Sequence, residues 1–284
     1  MNDNNNNNKK ISCRLTEHYN ILLEKGYNIL YLALQGSQNY NLDEYTENYC
    51  SDVDTKAIVL PSFKDFCYNK TPISTTLILN NNEHIDVKDI RIMFEMFKKN
   101  NLSYLELLYT KYSIVNKEYE EEVNELLNNR DKLVNKARLF KTIAGMSMEK
   151  KKALCHPYPN LLEKIEKYGF DGKQLSHCVR LNEMLSRMLF CNEKLQNVYK
   201  TNKREELMNY KKQLVKDGSR IMTKEEAIEL CEFYDAATKK LKDAYLEEHP
   251  DEEKQPYQYN LNELIYKILK KKFREEIERD EKRN

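Results

Sequence analysis

The pair Gly36-Ser37, and further on the segment Ser51-Asp52-Val53-Asp54 followed by the apolar run 57–60, decide the fold prediction for this chain. In a strand, side chains alternate between two faces, so Asp52 and Asp54 point to the same side. Val53 and the apolar run anchor the strand in a core, which leaves both aspartates at its exposed edge. Two fixed carboxylates this close repel each other unless a cation lies between them, and this geometry suits Mg²⁺.

A second buried strand is predicted just upstream of the Gly-Ser pair. Residues 28–34 read Asn-Ile-Leu-Tyr-Leu-Ala-Leu and end in Gln35-Gly36-Ser37. Glycine permits a close backbone approach, and Ser37 offers a hydroxyl and an N–H to a phosphate. The segment 38–50 is polar and is predicted to be a loop over the site.

A later strand is predicted to carry a further aspartate. The turn signal Asn80-Asn81-Asn82 separates residues 76–79 from residues 83–87 and predicts a hairpin. On its second arm, His84, Asp86 and Lys88 share one face, while Ile85 and Val87 point the other way. Asp86 is therefore the candidate third carboxylate. Asp89 is the alternative, because strand register slips easily by a residue.

Composition limits the function classes. The chain has 284 residues, 40% hydrophobic and 33% charged, with a formal net charge of +1. This is typical of a helix-rich globular protein, and it excludes a strongly basic nucleic-acid coat. No apolar run is long enough to span a membrane, and no secretory signal is recognised. Seven cysteines without a Cys-x-x-Cys pair favour reduced thiols and a cytoplasmic location.

Three segments are predicted along the chain: a disordered Asn-rich tail at 1–12, an α/β core at 13–115 and a helical domain at 116–284. Beyond residue 89 the apolar spacing is almost wholly helical. Helices are predicted at about 117–129, 131–152, 160–168, 172–200, 203–217, 223–248 and 260–280. The oligomeric state is not predicted.

The order strand, Gly36-Ser37, Asp52-x-Asp54 and a later strand aspartate resembles the DNA polymerase β-type nucleotidyltransferase superfamily. The resemblance implies an α+β fold, with a small mixed β-sheet nucleotidyltransferase core followed by a C-terminal helical bundle. It implies that Asp52 and Asp54 hold two Mg²⁺ (or Mn²⁺) ions, while Asp86 binds the acceptor-side metal. Gly36 and Ser37 would cradle the phosphates of an NTP substrate.

A second stretch resembles the RNA-repair-associated predicted nucleotidyltransferase family. That family pairs a Gly-Ser-x-x-Tyr-like turn and Ser-Asp-x-Asp with a Lys-x-x-x-His-x-x-Arg-Leu helix, which Lys173, His177, Arg180 and Leu181 match here. Asn101 to Leu108 also resembles its asparagine-led helix with a glutamate. The resemblance covers about residues 28–190. It implies transfer of NMP from an NTP to an RNA 3′ end, possible partners being RNA or tRNA.

The residues of this helix support a binding role. Asp171 is placed to cap its N-terminus. Lys173, His177 and Arg180 follow i, i+4, i+7 spacing on one stripe, with an apolar stripe beside it. Such a face can grip a triphosphate or an acceptor backbone, and the Arg180 fork suits bidentate phosphate contact. A solvated helix face is the alternative interpretation.

Other functions stay open. The same chemistry can act on a protein or small-molecule hydroxyl, which the near-neutral net charge favours mildly. A non-catalytic regulatory module on this fold is a candidate from another class. A glycosyltransferase also uses Asp-x-Asp, but it is expected to have a longer nucleotide-sugar domain upstream. Finally, Asp52 and Asp54 can simply end a strand as a solvated turn.

Overall fold

The computed structural model describes residues 2–46, 49–213 and 219–282. Within them the chain forms two compact units. The first unit comprises Met1–Asn39, Glu44–Val134 and Pro256–Asn284, and the second comprises Tyr40–Asp43 and Asn135–Gln255. The chain is α+β, as the sequence predicts, with a mixed sheet in the N-terminal part and helices after it. The boundary predicted at 115/116 differs from that at 134/135.

The strands are β1 (Ile29–Gln35), β2 (Asp54–Val59), β3 (Ser74–Ile78), β4 (His84–Asp89) and β5 (Ser113–Val115). The helices of the first unit are α1 (Asn2–Glu24), α2 (Ser37–Tyr40, whose last residue belongs to the second unit), α3 (Phe63–Cys67), α4 (Ile90–Lys98), α5 (Leu102–Leu105), α6 (Glu120–Asn128) and, near the C-terminus, α13 (Leu261–Glu281). The second unit contains α7 (Lys136–Ala153), α8 (Leu162–Tyr168), α9 (Gly172–Phe190), α10 (Leu195–Val198), α11 (Arg204–Lys212) and α12 (Lys224–Glu248). Short 3₁₀ turns lie at Glu106–Leu108, Lys117–Tyr119, Arg130–Leu133, Pro159–Leu161 and Glu252–Lys254.

The five strands of the described residues form one sheet in the order β3-β4-β2-β1-β5. β2 runs parallel to β4, and the other neighbours are antiparallel. The predicted β3–β4 hairpin is confirmed, and Asn82 closes it with a φ of 64°. The segment 38–50, predicted to be a loop, also contains regular structure: part of α2 and a β-bridge between Tyr45 and Cys50. Residues 47 and 48 lie outside the described residues.

The two faces of the sheet differ in chemistry. One face carries apolar side chains that pack against Leu22 of α1; they include Ile29, Leu32, Ala57, Val59, Ile85 and Val87. Because strand side chains alternate, the other face of β2 and β4 carries Asp54, Lys56, Asp86 and Lys88. The sheet therefore separates an apolar core from a charged face.

The structure differs from the disordered tail predicted for residues 1–12. The structure continues α1 from Asn2, so residues 2–12 are helical. Ile11 and Leu15 lie one turn apart and are buried against Leu34 and Val53. Burial of this apolar pair anchors the helix to the sheet, which overrides the weak helix propensity of the asparagines.

The last helix also differs from its predicted place in the chain. The sequence predicts α13 as part of the helical domain, but the structure packs it against α3, α4 and α6 of the first unit. Leu261, Leu264 and Ile268 form its buried stripe, and Phe273 contacts the rings of Phe63 and Phe66. An amphipathic stripe shows that a helix must pack, but not against which surface.

The second unit is a helical bundle around α9, which packs against α7, α11 and α12. Its core contains Phe170, Leu175, Val179, Leu207 and Ala227. The helix predicted over 172–200 divides into α9 and α10, and residues 214–217 of the helix predicted over 203–217 lie outside the described residues. None of the helices in the described part of the chain combines the length and apolar character needed to cross a membrane.

Candidate active site and basic cluster

The Gly36-Ser37 turn follows directly from the end of β1. Gly36 has a φ of 97°, a backbone conformation that favours glycine over residues with a side chain. Its N–H donates to Oε1 of Glu106 at 3.2 Å, and Asn39 N–H donates to the Gly36 carbonyl at 3.0 Å. Glu106 is 3% exposed, so a buried carboxylate fixes this turn. The sequence offered Glu106 only as part of a family resemblance, without this role.

Asp52 and Asp54 lie at the edge of the sheet beside that turn. Asp52 is exposed and precedes β2, whereas Asp54 is the first residue of β2 and is partly buried. In the β1–β2 register Asp54 is opposite Gln35, so the Gly36 turn and the aspartates lie at neighbouring strand ends. The backbone N–H of His84 donates to Oδ1 of Asp54 at 2.8 Å, which orients this carboxylate.

Asp86 has different surroundings. In the parallel β2–β4 pair, Asp86 is opposite Lys56, which lies two residues after Asp54 along β2. Its carboxylate lies 3.2 Å from Nζ of Lys56 and 2.9 Å from Nζ of Lys88. Lys56 is buried and its ammonium lies 4.0 Å from the centre of the Tyr104 ring. Two lysines therefore neutralise the Asp86 carboxylate.

The structure does not assemble the predicted three-carboxylate set. Among the described residues, no group of three or more His, Cys, Asp or Glu side chains is arranged to hold a metal ion. Asp52 and Asp54 remain as a pair, and such a pair suits Mg²⁺ that arrives on substrate phosphates and keeps several waters. Binding of metal by Asp86 stays a prediction, and its two lysine partners count against it.

Asp89, the alternative third carboxylate, has a structural role. It is 1% exposed and caps α4, accepting the Arg91 N–H at 2.9 Å. Its carboxylate also takes two hydrogen bonds from the Arg91 guanidinium, at 2.9 and 2.7 Å. These bonds use most of the acceptor capacity of the carboxylate, which favours the structural role over metal binding.

In the second unit, the predicted binding helix is α9. Asp171 caps it through the Lys173 N–H at 3.1 Å, which confirms the predicted cap. Lys173 is exposed, His177 is partly exposed and Arg180 is buried. The Arg180 guanidinium lies 3.8 Å from the centre of the Tyr40 ring, and the same ring meets His177 edge-on at 6.5 Å.

Two further lysines join this helix face. Burial and the charges of Arg180, Lys173, Lys150 and Lys211 hold the pKa of His177 well below its ordinary value. Burial also lowers the pKa of Lys150, and Lys173 and Arg180 add to the shift. We call Lys150, Lys173, His177, Arg180 and Lys211 the basic cluster.

The basic cluster combines three helices. Lys150 lies on α7 and Lys211 on α11, and both helices pack against α9. The sequence pointed to Lys150 only within the run Lys150-Lys151-Lys152, which is more often a solvated face, and nothing pointed to Lys211. These positive groups disfavour one another's charged forms, so the cluster favours an anionic ligand.

Comparison with known proteins adds little to these residues. No family model and no curated protein matches the chain. Among solved structures, the chain is similar to a nucleotidyltransferase-like protein from Exiguobacterium sibiricum 255-15, with 12% sequence identity and a TM-score of 0.30. The match covers 82% of this chain and 75% of that one. A TM-score this low does not support a functional assignment, so the assignment depends on the chain's own residues.

Proposed function

We propose that this protein is a nucleotidyltransferase that transfers NMP from an NTP to an acceptor hydroxyl. The observation that carries the proposal is the register of β1 and β2, which puts the Gly36 turn beside the Asp52–Asp54 pair at one sheet edge. A glycine turn can bind a phosphate, and a carboxylate pair can bind a divalent cation. Together they are complementary to a metal–nucleotide complex.

Asp52 and Asp54 would hold Mg²⁺ or Mn²⁺ together with the nucleotide phosphates. The cation, when bound, supplies charge neutralisation at the phosphorus centre and stabilises the leaving pyrophosphate. Asp54 presents its carboxylate in a fixed direction because the His84 N–H holds Oδ1. Ser37 offers its hydroxyl and backbone N–H to a phosphate oxygen at the turn.

The basic cluster of the second unit is the proposed site for phosphate groups of the acceptor. Lys173 is exposed and Arg180 carries a planar fork suited to two phosphate oxygens. Lys150 on α7 and Lys211 on α11 add to the positive field at His177. An RNA 3′ end, including that of a tRNA, is the proposed acceptor, and a cytoplasmic location is proposed with it.

The experiment offers each α-labelled NTP with Mg²⁺ or Mn²⁺ and a mixture of RNA and protein acceptors. Label in RNA supports the full proposal, and label in protein reassigns the acceptor. Asp54→Asn should lower turnover about a hundredfold or more, because it removes a charge that holds the cation. Asp65→Asn, at a partly exposed aspartate of α3 in the same unit that pairs with Lys70, is the matched control and should leave turnover unchanged. Full activity in Asp54→Asn would refute the assignment.

One observation favours a second candidate. Because Lys56 and Lys88 neutralise Asp86, the first unit offers two acidic ligands at this edge where the predicted chemistry uses three. A non-catalytic nucleotide-binding module is consistent with that arrangement. Binding of Mg²⁺–NTP without label in any acceptor would favour this second function.

A further inference from the structure

A buried charged network lies directly behind the Asp52–Asp54 pair. Glu83, 5% exposed, precedes β4 and accepts from Nε of Arg14 at 2.8 Å. His18, 0% exposed, places Nε2 at 3.1 Å from the same carboxylate. The other Glu83 oxygen accepts the backbone N–H of Val53 at 3.2 Å. The network therefore ends on the residue between the two aspartates.

The contacts between the two segments are reciprocal. Glu83 accepts the N–H of Val53, and Asp54 accepts the N–H of His84 at 2.8 Å. Each segment thus contributes one backbone donor and one carboxylate acceptor. With both bonds made, neither the backbone at Val53 nor the Asp54 carboxylate can turn without breaking a hydrogen bond.

His18 extends the network to Thr55, the residue that follows Asp54 in the chain. Its Nδ1 lies 2.9 Å from Oγ1 of Thr55. Since a carboxylate only accepts, Nε2–H of His18 donates to Glu83, and in the neutral ring Nδ1 then accepts from the Thr55 hydroxyl. Burial lowers the pKa of His18, which favours this neutral form. Thr55 is therefore held directly by His18 of α1, and Val53 is held by Glu83, which Arg14 and His18 hold in turn.

We propose that Arg14, His18 and Glu83 form a positioning clamp that holds Val53 and Thr55, the chain neighbours of Asp54, and so positions the Asp54 carboxylate for a metal–nucleotide complex. The proposal rests on the proposed function for its substrate. A purely structural contact between α1 and the sheet would be made at lower cost by apolar side chains, as it is at Ile11 and Leu15. The clamp residues touch no substrate; they act through Val53, Asp54 and Thr55.

Hydrogen exchange tests the clamp independently of any reaction. In Glu83→Gln, the side chain keeps its shape but loses the charge that holds Arg14 and His18. We expect the Val53 amide and its neighbours in residues 51–56 to exchange at least about tenfold faster, while the amides of the helical second unit are unchanged. Glu95→Gln, at an exposed glutamate of α4 that pairs with Lys98, is the matched control.

Activity provides the second readout. Supporting atoms behind a metal site change its affinity about 10- to 100-fold, so Glu83→Gln should raise the Mn²⁺ concentration for half-maximal transfer by about that factor. The KM for an RNA acceptor should stay the same. Thr55→Val removes the His18 hydrogen bond without removing a charge, and serves if Glu83→Gln does not fold.

The outcomes separate the two proposals. Local acceleration at 51–56 with no transfer by the wild-type protein supports the clamp and refutes the proposed function. Unchanged exchange at Val53, or uniform acceleration across the first unit, overturns the clamp, because the network would then be ordinary packing. Transfer by wild type with an unchanged Mn²⁺ requirement in both variants overturns it as well.

Discussion

Phosphate binding to the basic cluster should depend on pH through His177. In the free protein, burial and the charges of Arg180, Lys173, Lys150 and Lys211 keep the pKa of His177 well below its ordinary value, so its ring is neutral at neutral pH. A bound polyphosphate neutralises these cations and adds negative charge. Both effects raise the pKa of His177 in the complex.

The sign and limit of the effect follow from linkage. A group whose pKa is higher in the complex takes up a proton on binding, so affinity is greatest at low pH and falls as the pH rises through the pKa of the complex. One histidine takes up at most one proton. The association constant should therefore fall by at most about tenfold per pH unit, or about 1.4 kcal/mol. The window lies between the lowered pKa of the free protein and the raised pKa of the complex.

Calorimetry with tripolyphosphate and with ATP, from about pH 5.5 to 8, measures this directly. Two buffers of different ionisation enthalpy give the proton number at each pH. His177→Gln should remove the histidine's proton uptake and its pH slope while binding persists, since the lysines and Arg180 remain. Lys200→Gln, at an exposed lysine of the same unit, is the control. Because both ligands also titrate in this range, the test is the difference between wild type and His177→Gln. An equal pH slope, or equal proton uptake, in the two proteins would refute the reasoning.

Two further predictions concern stability and are measured by urea unfolding of the full chain. A Cβ on Gly172 would overlap the carbonyl oxygen of Tyr210, so Gly172→Ala should lower the free energy of unfolding by at least about 1–3 kcal/mol. A Cβ on Gly145 in α7 meets open space, so Gly145→Ala should raise the free energy of unfolding by up to about 1 kcal/mol. Equal effects would contradict the packing. Asp89→Ala removes the α4 cap and the Arg91 pair and should cost about 1–3 kcal/mol. Asp89→Asn should keep the cap and full transfer activity, whereas loss of transfer in a folded Asp89→Asn protein would restore Asp89 as a catalytic carboxylate.

The candidate site shows where sequence reasoning is reliable. Strand alternation assigned Asp86 and Lys88 to one face of β4 and Ile85 and Val87 to the other, and the burial of β4 confirms it. Helix spacing and an N-cap signal located α9 at the correct first residue. The Asn80–Asn82 turn signal located the hairpin. Each of these features depends on residues within a few positions of one another.

The contacts that change the chemistry could not be predicted in this way. Lys56 neutralises Asp86 only because β2 and β4 pair in parallel with this register, and a shift by one residue would remove the contact. Glu83 reaches Val53 from 30 residues away, and Lys211 reaches the basic cluster from another helix. In sequence, each of these residues resembles an ordinary surface charge.

The sequence alone therefore determined the α+β class, the two faces of the sheet and the α9 stripe that carries Lys173, His177 and Arg180, because periodicity and capping are local properties of the chain. The tertiary structure decided that α13 belongs to the first unit and that Asp86 is neutralised by lysines. It also decided that a buried charged network of Arg14, His18 and Glu83 ends on Val53, between Asp52 and Asp54. These outcomes depend on strand register and on which helix covers which surface, and distant parts of the chain settle both together.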